Sequence, residues 1–503
     1  MSSLFSRVKS VEQSIADTDE PDSKLRKDLT AWDLTVFGVA VVVGAGIFTL
    51  TARTAGNVAG PSVSLAFVIA AVACGLAALC YAEFASTVPV AGSAYTFTFA
   101  TFGEFLAWII GWDLMLELAL AASVVSKGWS AYLGDFLDIT TTVDIGFDFD
   151  WGAVLLIAVL TVLLALGTKI SSRVSLVITS IKVGVVLLMI IVGAFYIKTS
   201  NYSPYIPDSV PSDTGSGIHQ TLFSALTGGG DTDFGWYGLL AAASLVFFAF
   251  IGFDVVATTA EETKDPQRAL PRGILGSLAI VTVLYVLVTL VLTGMVPYTD
   301  LAGDSTLTTA FEIRGVTWVG WIINLGAIAG LTTVVMVMLL GQTRVAFAMS
   351  RDGLLPRSLA HTGKRGTPAR LTVIVGVTSA VLAAIFPMGT LEEMVNIGTL
   401  FAFVLVSIGV VVLRRTRPEL SRGFKVPLMP VIPILSVLAC LWLMLNLSIE
   451  TWLRFLVWMA IGLVIYFAFG RRNSVFARRE RGELASVSGP GEAPEVDLGK
   501  GPG

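Results

Sequence analysis

The sequence is short of charge, of histidine and of cysteine, and each shortage excludes something. Charged residues make up 14% of the 503 positions, against roughly 25% in ordinary soluble proteins. The two histidines, His219 and His361, fall in polar connecting stretches, so no histidine metal cluster is expected. Cys74, Cys80 and Cys440 all lie inside apolar runs. They have neither zinc-ligand spacing nor a disulfide framework, and read as small buried hydrophobes. No Gly-rich loop ends in Lys-Ser or Lys-Thr, which argues against ATP-driven pumping by this chain. No nucleophile–base set suggests an enzyme, and no cofactor is expected. With 33 Lys and Arg against 37 Asp and Glu, the net charge is −4. No basic field advertises a nucleic-acid partner.

What the chain has instead is apolar length. Hydrophobic residues reach 54% and the mean hydropathy is +0.79, which places the chain in a lipid bilayer. Twelve runs long enough to span are expected at about 33–52, 62–86, 98–127, 152–168, 173–197, 237–260, 273–296, 317–341, 370–387, 394–413, 428–447 and 451–470. The fold class is therefore an all-α polytopic membrane protein with 12 transmembrane helices. Residues 1–32 form an N-terminal polar segment, 33–470 the membrane domain, and 471–503 a disordered tail. With the N-terminus inside, the inner segments hold 27 of the 33 Lys and Arg, and the outer ones only Arg53, Lys198, Arg314 and Arg454. Both termini are expected to be cytoplasmic.

Two of the runs are interrupted. Span 1 carries Gly44 and Gly46 about 16 Å from its start at 1.5 Å per residue, near the middle of the bilayer. Span 6 carries Gly252 followed by Asp254 at similar depth. For either alone, close helix packing is an even alternative. Together they stand five spans apart, each the first helix of a five-span unit, over about 33–197 and 237–413. Five is odd, so the second unit enters upside down, leaving spans 11 and 12 over (428–470). Paired interrupted helices of this kind mark a midplane transport site. Their free N–H groups suit an anion and their free C=O groups a cation, which fits a zwitterion such as an amino acid.

Leu29-Thr30-Ala31-Trp32-Asp33-Leu34 leading to Gly44-Ala45-Gly46-Ile47-Phe48 resembles the start of permeases of the amino acid–polyamine–organocation superfamily. Further stretches resemble its cationic amino acid transporter branch. They are Phe248 to Asp254 with Glu261-Glu262 and Asp265-Pro266, Gly341-Gln342-Thr343-Arg344, and Met349 to Pro356. The resemblance implies a LeuT-like five-plus-five inverted repeat with broken helices 1 and 6. It implies a substrate carboxylate on the N–H groups of Ala45, Gly46 and Ile47, and an α-amine on the carbonyls of Val42, Phe248 and Ile251. Phe248 would also gate the site. A hydroxyl residue often stands where Ala45 is, so a side-chain bond to the carboxylate is missing here.

Ionisable residues inside spans are functional candidates by default. Glu83 and Glu104, near inner ends, are expected to reach water or cap a helix, and Lys127 to snorkel. Asp113 and Glu117 share a face of span 3. In the cationic branch a glutamate in this run is associated with the substrate region, while a structural contact to span 8 or 10 is equally open. Asp254 is expected to cap the inner half-helix, and Met336 and Met338 are more simply packing than pocket. Lys182 sits roughly 15 Å into span 5 with only apolar neighbours in the chain, and its alternative role is pairing with a carboxylate of another helix. In proton-coupled members of the superfamily a span 5 lysine stands where sodium braces related transporters. The resemblance thus implies an ammonium reaching carbonyls near Gly38 or Val41 and the hydroxyls of Thr332 or Thr333.

The expected function is secondary active import of cationic or small neutral L-amino acids across the cell membrane by proton symport. An exchanger and a non-transporting sensor are the alternatives. The expected partners are the amino acid, protons as coupling ion and the lipid bilayer; an accessory subunit is left open.

Overall fold

The computed structural model describes residues 28–44, 46–88, 93–167, 172–212, 217–303, 305–361, 367–481 and 483. The protein is an all-α membrane protein. Among the described residues, eight helical stretches are long and apolar enough to cross a bilayer, and three shorter apolar helices of 15–17 residues accompany them. The main helices in chain order are α1 (Ala31–Val42), α2 (Val63–Thr87), α3 (Ser93–Phe102), α4 (Glu104–Leu137), α5 (Trp151–Ala165) and α6 (Ser172–Ala194). They continue with α7 (Gly235–Val246), α8 (Pro266–Met295), α9 (Thr317–Arg351), α10 (Ala369–Ile385), α11 (Met388–Thr416), α12 (Val431–Leu445) and α13 (Ile449–Ile465). A short hairpin, Thr142–Asp144 with Asp148–Asp150, and a short antiparallel strand pair, Val210–Pro211 with Thr232–Asp233, lie in the connections.

Local sequence explains the ends that matter. Thr30 starts α1 with a reciprocal cap: its hydroxyl oxygen accepts from the Asp33 N–H at 3.3 Å, and the Asp33 carboxylate accepts from the Thr30 N–H at 2.8 Å. The Trp-Asp motif at residues 32–33 thus has a structural role. The helix stops at Val42, and helical winding resumes at Gly46 and continues to Ala59 with wide turns. At the second interruption α7 tightens into a 3₁₀ turn over Phe247–Phe250, breaks at Gly252, and resumes as a 3₁₀ helix over Asp254–Glu262. Gly252 has φ +115°, a conformation open to glycine and costly for other residues. The start of the first broken element meets the end of the second, since the Lys264 N–H donates to the Leu29 carbonyl at 3.0 Å.

The expected third span, 98–127, is two helices. Gly103, at φ +87°, separates α3 from α4, and α4 begins only at Glu104 and runs to Leu137. The expected disordered tail also begins with structure. Arg471–Asn473 and Val475–Glu480 are helical, with Ser474 capping the second through its bond from the Ala477 N–H at 3.1 Å. The Val475 N–H donates to the Asp352 carbonyl at 3.0 Å, so this segment is docked at the end of α9. Residues 1–27 and 484–503 lie outside the described residues.

Lipid supplies no hydrophobic force between helices, so close approach at small residues does much of the packing. α4 lies along α9 and α11, and α8 along α2 and α1. Gly38 of α1 packs on Ser277 and Val256, and Gly273 of α8 packs on Leu34. The Trp108 indole donates to the Gly462 carbonyl at 2.9 Å.

Candidate functional site

The two interruptions face each other at the centre of the bundle. A Cβ on Gly46 would lie 2.1 Å from the Ala249 Cα, so backbone meets backbone there. A cavity of about 20 Å³ opens beside this contact. Its broken-helix side is Val41, Val42, Gly44, Gly46, Phe248 and Ile251, and its far wall is Ala121 and Val125 of α4 with Val334 and Met338 of α9. That volume holds about one water, so a larger molecule enters only when these elements part. Of the expected head-group residues, Val42, Gly46, Phe248 and Ile251 come together here. Ile47 is buried but does not line the cavity, and Ala45 lies outside the described residues. Met338 lines it and Met336 does not.

An α-helix leaves its last four carbonyls without partners, and the break in span 1 places those acceptors in the interior. Two of them accept from other helices. Lys182 Nζ of α6 donates to the Ala40 carbonyl at 2.9 Å, and the Tyr285 hydroxyl of α8 donates to the Val42 carbonyl at 2.6 Å. Beyond the break, the Tyr132 hydroxyl donates to the Phe48 carbonyl at 2.6 Å. At the second break Asn396 of α11 donates to the carbonyls of Ser244 and Leu245, at 2.9 and 3.4 Å. Tyr132, Tyr285 and Asn396 were not expected from the sequence, because they carry no formal charge at neutral pH. A lone hydroxyl or amide inside an apolar run was the available signal.

Lys182 is 1% exposed, and among the described residues no carboxylate forms an ion pair with it. The alternative of a paired lysine is therefore not what the structure contains. Its partner, Ala40, lies between the two expected positions, in the last turn that the break leaves without intrahelical partners. Thr332 and Thr333 turn their hydroxyl protons to carbonyls of their own helix, Ile328 at 2.8 Å and Gly330 at 2.7 Å. The contact of Lys182 with α9 runs instead through Gly330.

Acidic groups gather on the other side of the site. Glu117 lies one turn from Ala121, beside the Thr399 hydroxyl and within electrostatic reach of Asp254. Asp113 packs on Gly398. Both oxygens of Asp113, Oε2 of Glu117 and Oδ1 of Asp254 are buried without a hydrogen-bond partner. The Asp254 carboxylate lies beside the N–H groups of Gly252 and Val255, but it is the first residue of the Asp254–Glu262 helix, whose cap position is Phe253 and carries no side-chain cap, so the expected capping role is not what the structure contains. Glu117 does not line the cavity.

The remaining charges close the two ends of the bundle. Glu83 and Glu104 do not reach water. Glu83 accepts from Arg414 at 2.7 and 2.5 Å and from the Val426 N–H at 2.7 Å, and Glu104 accepts from the Tyr466 hydroxyl at 3.2 Å. At the opposite end Arg53 pairs with Glu392, and Lys127 donates to the Ala383 carbonyl at 3.0 Å, with Asp150 3.7 Å away. Arg53, Lys127 and Asp150 line a cavity of about 690 Å³ together with Phe147, Asp148 and Pro387.

The chain matches the amino acid permease family over residues 29–469. It is similar to the branched-chain amino acid permease of Bacillus subtilis, 47% identical over 93% of this chain and 98% of that protein. It is also similar to the methylthioribose transporter of the same organism, 41% identical over 94% and 99%. The vacuolar cationic amino acid transporter 4 of Arabidopsis thaliana is 37% identical over 83% of this chain and 68% of that protein.

Proposed function

The chain belongs to the amino acid permease family, and from that premise we propose that it imports neutral aliphatic L-amino acids by proton symport and alternating access. The observation that carries the substrate is the cavity between the breaks. Backbone groups of spans 1 and 6 suit the zwitterionic head group, and Ala121, Val125, Val334 and Met338 offer only apolar surface to a side chain. The similarity to the branched-chain amino acid permease of Bacillus subtilis agrees with such a wall. A cationic substrate is the second reading, favoured by the unpartnered Oε2 of Glu117 one turn below Ala121. The cationic transporter relative points the same way.

The spans form two inverted five-helix repeats, 33–197 and 237–413, followed by two further helices. Both termini face the cytoplasm. Lys182 carries the coupling proton. Charged, it holds α6 to the end of α1 through Ala40. A hydrogen bond from a charged donor contributes about 1.5–3 kcal/mol, against about 0.5–1.5 from a neutral one. The difference shifts a two-state equilibrium by roughly tenfold, enough to favour inward opening once the proton leaves.

Proteoliposomes with an acid outside and an alkaline lumen test this. Labelled leucine or valine should accumulate above its external concentration and lose that accumulation when a protonophore collapses the gradient. Arginine should compete weakly. Uptake that ignores the gradient and requires counter-substrate would replace symport with exchange, and no uptake at all would leave a sensor.

A further inference from the structure

The Lys182 bond to Ala40 joins α6 to α1, which are in direct contact, and the helix along which the side chain runs has to be narrow there. α9 supplies that narrowness. A Cβ on Gly330 would lie 2.9 Å from Lys182 Cε, 3.0 Å from Cγ and 3.2 Å from Cδ, so the whole lysine stem lies against bare backbone. One turn away, a Cβ on Gly326 would lie 2.5 Å from Val185 Cγ2. Gly326 and Gly330 are four apart and share a face, and Lys182 and Val185 are the two α6 residues that fill it. Small residues at this spacing ordinarily let helices approach. Here the two positions differ in what they receive: one takes a plain valine, the other the stem of a buried ammonium.

We infer that Gly330 is the positioning residue for proton coupling: its missing side chain aims the Lys182 ammonium at the Ala40 carbonyl. This rests on the reading of Lys182 as the coupling group. The charged and titratable side chains on the elements packed against α6 leave the ammonium to that carbonyl. On α1, Asp33 is occupied with Thr30 at the start of the helix. On α8, Arg268 and Arg272 stand in the first turns, and Tyr285 donates to Val42. On α9, Arg344 and Arg351 lie toward the far end. A methyl at position 330 displaces the flexible stem, and with it the amine, while the substrate cavity keeps its lining.

The test compares Gly330→Ala, Gly326→Ala and Lys182→Ala in proteoliposomes, reading the pH profile of uptake and substrate affinity. Gly330→Ala should flatten the pH profile and lower gradient-driven accumulation by roughly tenfold, with affinity within about twofold. Gly326→Ala, which crowds only Val185, should keep the parent's pH profile. A Gly330→Ala protein that retains that profile overturns the inference, as does a Gly326→Ala protein that flattens it equally. If Gly330→Ala alone does not fold, the double variant with Lys182→Ala decides. Recovery of folded protein to the level of Lys182→Ala supports a slot for lysine, and continued failure assigns Gly330 to another contact and overturns it. Gradient-driven accumulation that survives in Lys182→Ala would remove the proton reading itself, a result separate from any outcome at Gly330.

Discussion

The two breaks have the same task of presenting free backbone at the centre of the bundle, yet they are built from different chemistry. At the first, the freed carbonyls accept from Lys182 and Tyr285, and Tyr132 serves the far side. At the second, they accept from the amide of Asn396, which carries no charge at any pH. The backbones differ as well. The second break turns on Gly252 at φ +115°, while Gly44 and Gly46 at the first are pressed by Val334 and by Ala249. One break has a donor whose charge can change, and the other is fixed by conformation. That division suits a carrier in which one seam responds to the proton and the other holds the substrate in register.

The largest expected effect tests the conformational half. Gly252→Val meets a positive φ, costing about 1–3 kcal/mol, and its Cβ would also lie 2.8 Å from Val41 Cγ1, adding about 1–3 kcal/mol of overpacking. Uptake should fall by about two orders of magnitude, with a lower thermal transition in detergent. Gly44→Ala meets only Val334 at 3.0 Å and should lose much less. Equal losses for the two would erase the distinction between a break set by backbone angle and one set by space.

A second pair of variants tests the chemical half. Lys182→Ala should abolish the response of accumulation to a pH gradient while retaining substrate binding, as measured by equilibrium competition. Asn396→Ala leaves the buried carbonyls of Ser244 and Leu245 without their amide donor, a cost of about 1–3 kcal/mol. It should lower stability and uptake but leave the shape of the pH profile unchanged. A flattened profile in Asn396→Ala would move proton sensing to the second break, or spread it over both.

How far the sequence reached follows from the same contrast. Glycines inside apolar runs located both breaks, because a helix interruption is a local property of the chain. Lys182 was legible because a charge at that depth is conspicuous against its neighbours. Its partner was legible only to within a turn, since which carbonyls are free depends on the residue at which α1 ends, Val42. Gly326 and Gly330 resembled ordinary membrane-helix glycines, and their meaning lies wholly in what α6 places against them. The burial of Glu83 beneath Arg414 and Arg422 depends on a contact of α2 with the last turn of α11 and the segment after it, far apart in the chain. Spacing within one helix carries no trace of it.

The smallest expected effect lies within the first break. Val42 was expected to receive the substrate amine, and the structure gives its carbonyl to the Tyr285 hydroxyl. A carbonyl has two lone pairs, so both roles are compatible, with the tyrosine fixing the direction of the pair left over. Tyr285→Phe keeps the ring, which packs on Phe67 and Phe250, and removes one neutral hydrogen bond worth about 0.5–1.5 kcal/mol. If Val42 serves the amine, KM should rise by about two- to tenfold and the pH profile should stay as in the parent, because Lys182 and Ala40 are untouched. A drop in thermal stability with unchanged KM would make Tyr285 a brace for the end of α1 and take the Val42 carbonyl out of substrate recognition. A shifted pH profile would link Tyr285 to Lys182 across the last turn of α1, and the first break would then act as one coupled proton-responsive unit.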